Sequence, residues 1–141
     1  MGTAKKPIIT VKVKIDAPID KVWKCWTSTE DIICWNFASD DWHSPHAENN
    51  LHVGGNFSYR MEAKDGTVGF DFEGTYEKIV SCQQIAYVLA DDRRVHITFS
   101  KDGDNTIVTE TFDAENENPV ELQRGGWQAI LDNFKKHVES T

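Results

Sequence analysis

Apolar and polar residues alternate at the start of the chain. Ile9, Val11, Val13 and Ile15 fall between Thr10, Lys12 and Lys14. Period two with β-branched residues predicts a half-buried strand. Asp16-Ala17-Pro18 breaks it, and Pro18 suits the first turn of a helix, where its missing N–H is not needed. Ile19, Val22, Trp23 and Trp26 then recur at helical spacing. Ser28 or Thr29 can cap a second short helix with Glu30 and Asp31 in its first turn and Ile32, Ile33 and Trp35 on its apolar side.

Phe37 to Asn50 is polar, contains Pro45 and has little periodicity, so it reads as a loop with at most a short strand. Alternation returns with Phe57, Tyr59 and Met61. Asp65-Gly66 marks a hairpin, since Asp-Gly tolerates the positive φ angles of tight turns. Val68, Phe70, Phe72 and Tyr76 continue with period two. Ile79 has the other parity, which predicts a bulge near Gly74. Ile85, Tyr87 and Leu89, then Val95, Ile97 and Phe99, then Thr106, Val108 and Phe112 mark three further strands.

After Asn118-Pro119 the period changes. Trp127, Ile130, Leu131, Phe134 and Val138 form the apolar stripe of a long helix. Gly125-Gly126 within it predicts a kink or a close packing contact. Hairpin-linked strands form an antiparallel sheet, and one striped helix must bury its stripe against that sheet. The expected fold is α+β: a curved antiparallel sheet of six to seven strands around a long C-terminal helix, with two short helices after the first strand. The 141 residues read as one domain, 1–141, with 1–7 disordered.

Charge narrows the function classes. The net charge is −8, from 23 acidic and 15 basic residues, and the lysines are scattered. That disfavours nucleic acid and anionic membrane surfaces. No run approaches a membrane span, and Met1 to Lys6 is polar with no apolar stretch after it. Cys25, Cys34 and Cys82 are odd in number and widely spaced, as expected of reduced thiols in a cytoplasmic protein.

Several residue groups invite chemistry. His43, His46 and His52 lie near Asp40 and Asp41, but a loop does not supply the converging ligands a metal needs, so a solvated loop is expected and no metal. Glu110 shares its parity with Val108 and Phe112. If that face is internal, burial raises its pKa. Full burial of Glu is rare, which favours a strand end that turns it to solvent. Asp71 and Glu73 alternate with Phe70 and Phe72 and read as solvent-facing. There is no Ser-His-Asp order, no Cys-x-x-Cys and no glycine-rich phosphate loop, so no catalytic set is assigned and no cofactor is implied. The aromatic residues are the most suggestive group. Trp35, Phe57, Tyr59, Phe72, Tyr87, Trp127 and Phe134 can face the interior between sheet and helix. Such a set either fills a core or lines a pocket for an apolar ligand.

The element order and several motifs resemble the START-like (SRPBCC) superfamily. More narrowly, they resemble the family named for the C-terminal domain of activators of the heat-shock-protein-90 ATPase, in its small stand-alone bacterial form. The motifs are Ala17-Pro18, Val22-Trp23, Trp26-Thr27, Trp35, Gly54-Gly55-Asn56-Phe57, Asp65-Gly66, the run from Phe70 to Tyr76, Thr106 with Val108-Thr109, and Gly126-Trp127. The resemblance spans Ile8 to Glu139. It implies a helix-grip fold with a cavity between sheet and C-terminal helix. The expected function is binding of a small hydrophobic or amphipathic molecule such as a lipid. Trp35, Phe57, Tyr59, Phe72, Tyr87, Glu110, Trp127, Leu131 and Phe134 are the candidate cavity residues. Alternatives are a chaperone-associated interaction domain and a cyclase-like enzyme acting through Glu110 or Tyr87. A monomer or weak dimer is expected.

Overall fold

The computed structural model describes residues 7–141. The expected disorder of 1–7 therefore concerns residues that lie, apart from Pro7, outside the described ones. The Pro7 carbonyl accepts a hydrogen bond from the Ala114 N–H at 2.9 Å. The elements run β1 (Ile8–Ile15), α1 (Ile19–Thr27), α2 (Thr29–Trp35), β2 (Trp42–Asn49), β3 (Asn56–Ala63), β4 (Gly69–Val80), β5 (Gln84–Leu89), β6 (Arg94–Asp102), β7 (Asn105–Asp113) and α3 (Val120–Ser140). The α+β helix-grip expectation holds, with seven strands in one antiparallel sheet that curls around α3.

The strand order is β1-β7-β6-β5-β4-β3-β2. Consecutive strands pair as hairpins from β2 to β7, and β1 returns to pair with β7. The two edges are thus β1 and β2, and α1 and α2 carry the chain from one edge to the other. The inner face follows the predicted parity. Ile9, Val11 and Ile15, Ile85 and Leu89, Val95, Ile97 and Phe99, and Val108 and Phe112 are all buried.

Two irregularities explain where the sequence pattern misled. The stretch expected to be a loop contains an eight-residue strand, β2. Its register shifts between His43 and His46, so the alternation is broken in mid-strand. Pro45 sits in that shift on an edge strand, where its missing N–H costs no ladder bond, and the Ser44 hydroxyl donates to the Arg60 carbonyl at 2.8 Å. The bulge expected near Gly74 lies further along the strand, between Tyr76 and Lys78. The extra residue there returns Ile79 to the face of Tyr76. Gly74 instead permits a close approach between strands. A Cβ on it would come within 2.8 Å of the Phe57 ring and 2.7 Å of the Val88 carbonyl.

The helix α3 is unbroken through Gly125-Gly126, and a Cβ on either glycine would meet nothing within 4 Å. The expected close contact is replaced by open space. Among the described residues no helix is long and apolar enough to cross a membrane.

Candidate functional site: a cavity under the first half of the last helix

Leu131, Phe134 and Val138 are fully buried. Phe134 packs edge-on against Trp26 and Trp35, each with ring centroids 4.8 Å away. The first half of α3 borders open space. Gln123, Gly126, Trp127 and Ile130 look onto a cavity of about 330 Å³, whose other walls come from α1, α2, β3, β4, β5 and β7.

Each wall follows from a local feature. On α3, Trp127 stacks on Phe112 of β7, with centroids 3.7 Å apart and planes at 14°, and meets Phe72 of β4 edge-on at 6.0 Å. Gln123 fixes the start of the helix. Its side-chain oxygen accepts from the Glu115 N–H at 2.9 Å, and its amide donates to the Asn118 carbonyl at 2.7 Å. On the opposite side Trp35 is anchored by its indole N–H, which donates to the Cys25 carbonyl at 3.0 Å. Tyr76 donates to Asn49 Oδ1 at 2.6 Å, and Asn49 donates in turn to the Thr27 carbonyl at 2.9 Å. This chain of bonds ties β4 to β2 and α1 beside the cavity.

Of the nine candidate residues, Trp35, Tyr59, Phe72, Tyr87, Glu110 and Trp127 line the cavity. Phe57, Leu131 and Phe134 do not. Phe57 lies within the aromatic layer of the sheet, touching Tyr59, Tyr76 and Tyr87 at centroid distances of 5.0, 5.2 and 4.7 Å. Leu131 and Phe134 belong to the solid half of α3. The lining also includes Trp26, Asn36, Gln123 and Gly126, which sequence reasoning did not select. Trp26 and Gly126 carried a signal, helical spacing for one and an unexplained glycine pair for the other. Asn36 carried none.

Glu110 corrects an expectation. It is not turned to solvent; it is buried, 5% exposed, on the inner face of β7 between Val11 of β1 and Ile97 of β6. The strand end that could have carried it outward is held in place, because β7 is paired on both sides over its whole length. Burial pushes its carboxyl up to about 8, so at neutral pH it is mostly the uncharged acid. Burial, and then the neighbouring Glu110, also push the Tyr87 phenol well above its ordinary range. Among the described residues Glu110 forms no ion pair. The side-chain amide nitrogen of Asn36, also in the lining, is buried without a hydrogen-bond partner.

The histidines expected in a solvated loop lie on or beside β2. His43 faces Glu62 at 3.6 Å, His46 faces Glu48 at 3.2 Å, and His52 bonds the Val53 carbonyl at 3.0 Å. The structure does not bring them together. Among the described residues one cluster of metal-ligating side chains occurs elsewhere, formed by Cys25, Asp31 and His137. Its Asp31 is held by His137 at 2.9 Å and faces Lys24 at 3.6 Å. The His137 contact ties α2 to the end of α3, and the lysine opposes a bound cation. Asp71 and Glu73 are exposed, as expected.

The comparisons with known proteins agree with this architecture. No functionally curated protein matches the chain. The solution structure of an AHSA1-like protein from Aeromonas hydrophila is similar at 40% identity and TM-score 0.86, covering 94% of this chain and 93% of that one. A protein from Cytophaga hutchinsonii is similar at 47% identity and TM-score 0.82, covering 94% and 92%. DynU16, from the dynemicin biosynthetic locus, shares the fold at 17% identity and TM-score 0.74, covering 94% of this chain and 47% of that one. Family and fold support a ligand-binding domain in general terms. The family model for activator of Hsp90 ATPase homolog 1-like proteins matches residues 16–139, and the chain belongs to that family.

Proposed function

We propose that the domain binds a small hydrophobic or amphipathic molecule in the cavity between the sheet and the first half of α3. The supporting observation is the cavity itself. At about 330 Å³ it sits at the small end of the roughly 300–1,000 Å³ typical of ligand pockets. Its walls are mainly aromatic and aliphatic, with polar groups among them, which is how such pockets combine affinity with orientation. Apolar burial at roughly 25 cal/mol per Å² supplies the drive. Exposed Phe70 and Leu122 are also in the lining, which gives the cavity an apolar rim at the surface.

Tryptophan indole resonances test the proposal. Trp26, Trp35 and Trp127 line the cavity; Trp23, packed edge-on against Phe99, does not. In a titration with a panel of fatty acids, sterols and polycyclic aromatics, a binder shifts the first three indoles and leaves Trp23 in place. A panel in which no compound moves any of the three overturns the proposal. The chaperone-partner and cyclase-like readings rest on resemblance alone.

A further inference from the structure

The cavity contains a polar group that a purely apolar ligand would leave unused. Glu110 sits at the centre of a paired strand, flanked by Val11 and Ile97, with its side chain in the lining of the cavity. No described side chain donates to it or pairs with it. A buried carboxyl without a partner costs stability, and a native structure has a reason for each such group.

The other charged groups of the cavity each have a partner. Arg93, in the turn before β6, directs its Nε at Asp91 Oδ2, 2.7 Å away. Glu115, before α3, accepts from the Asn118 backbone N–H at 3.0 Å. The titratable groups facing Glu110 from the remaining walls are the phenols of Tyr59, Tyr76 and Tyr87; α3 contributes none, and the partners on β1 and β6 are apolar. Glu110 is therefore the one carboxyl of the lining with no hydrogen-bond or ion-pair partner among the described residues, and it becomes a carboxylate once it ionises. Around it stand the faces and edges of Trp26, Trp35, Tyr59, Phe72, Tyr87 and Trp127. A carboxylate within aromatic walls is the arrangement that favours an organic cation, through charge-assisted hydrogen bonds and the negative faces of the rings. Once Glu110 is ionised, it repels an anionic ligand such as a fatty acid. The net charge of −8 acts in the same direction over longer range, concentrating cations near the molecule.

We infer that the cavity selects ligands with an apolar body and a protonated amine, with Glu110 as the anchor for the ammonium group. This rests on the binding proposal above and adds the ligand's charge to it.

Three probes of one shape test it: 4-phenylbutylamine, 4-phenylbutanol and 4-phenylbutyrate, titrated into the protein at pH 6 and pH 8 and followed by the indole resonances. At pH 8 the amine should bind about tenfold or more tighter than the alcohol, and the acid weakest. Binding the amine requires ionised Glu110, and its carboxyl titrates near 8. The amine's affinity should therefore rise about 50-fold between pH 6 and pH 8, while the alcohol's changes no more than about twofold. Glu110→Gln keeps the shape and should remove both the amine's advantage over the alcohol and its pH dependence. The pH series on the unaltered protein stands even if that variant fails to fold. If the alcohol binds as well as the amine at both pH values, the amine inference falls and the binding proposal survives. If the advantage persists in Glu110→Gln, the amine is held elsewhere and the inference also falls. If none of the three binds, the amine inference falls, and the wider panel above decides the binding proposal.

Discussion

The two halves of α3 carry one continuous apolar stripe and do different things with it. The second half is clamped on both sides. Lys135 donates to the Lys14 carbonyl at 2.6 Å and Glu139 accepts from the Asp16 N–H at 2.8 Å, which fixes it to the end of β1. Asn133 donates to the Trp35 carbonyl at 3.0 Å and His137 pairs with Asp31 at 2.9 Å, which fixes it to α2. Between these clamps Leu131, Phe134 and Val138 lose all contact with water. The first half is tethered at its start by Gln123 and in its middle by the Trp127–Phe112 stack and by Gln128, whose amide bonds the N–H and carbonyl of Lys12 on β1, and a cavity is left open beside it. A helix of one hydrophobic periodicity thus makes core along its second half and a cavity wall along its first.

The largest expected effect tests how dry the cavity half is. The folded carboxyl of Glu110 titrates near 8, against 4.5 for an ordinary Glu. A raised acid favours the fold only while it is protonated. Its contribution is fully present below about pH 4.5 and is lost as pH rises towards 8, an effect on the order of 4 kcal/mol. Urea unfolding between pH 5 and 9 should show that fall in the unaltered protein, and Glu110→Gln should flatten it. The lowered carboxyls of Glu62, Asp65 and Glu139 act mainly below this range. A wild-type protein as stable at pH 9 as at pH 5 would mean that Glu110 is well hydrated and the cavity half is wet.

Next comes a direct contrast between two aromatic residues on one helix. Phe134→Ala removes a fully buried ring from a packed site and should cost about 3–5 kcal/mol. Trp127→Ala removes a larger side chain beside existing space and should cost about half as much, roughly 2 kcal/mol, because fewer of its contacts are lost. Probe binding should move the other way, surviving in Phe134→Ala if it folds and failing in Trp127→Ala. Equal losses of stability would erase the distinction between the halves.

This contrast also marks how far the sequence could be read. Strand parity placed Phe57, Tyr59, Tyr87, Val108 and Glu110 on one face, and the 3.6-residue period placed the stripe of α3, because both depend only on local geometry. Parity pointed Glu110 inward, and the rarity of buried Glu pointed it outward; pairing of β7 on both sides, a non-local fact, decided for burial. β2 was illegible because a register shift at Pro45 breaks the alternation on which a strand is recognised. Leu131 and Phe134 were grouped with Trp127 because periodicity is blind to whether the space facing a helix is filled or open. The unpartnered Asn36 amide depends on contacts across the chain and leaves no mark in its neighbourhood.

The smallest expected effect tests why the cavity half is open at all. Glycine in a helix interior is less favourable than alanine by about 1 kcal/mol, and Gly126 has no neighbour that would obstruct a Cβ. Gly126→Ala should therefore raise stability by roughly 0.5–1 kcal/mol in urea unfolding, with probe binding reduced only slightly. Gly126→Leu extends the side chain into the space that Gly126 lines. It should keep most of that gain, since it buries apolar surface in a void, yet abolish probe binding. The pair separates two explanations of the glycine. If both variants are stabilised and the larger one alone stops binding, the glycine keeps room for a guest at the expense of the helix. If Gly126→Leu is instead destabilised, the open space is too narrow for a side chain, and the boundary between the two halves of α3 lies nearer its start than Gly126.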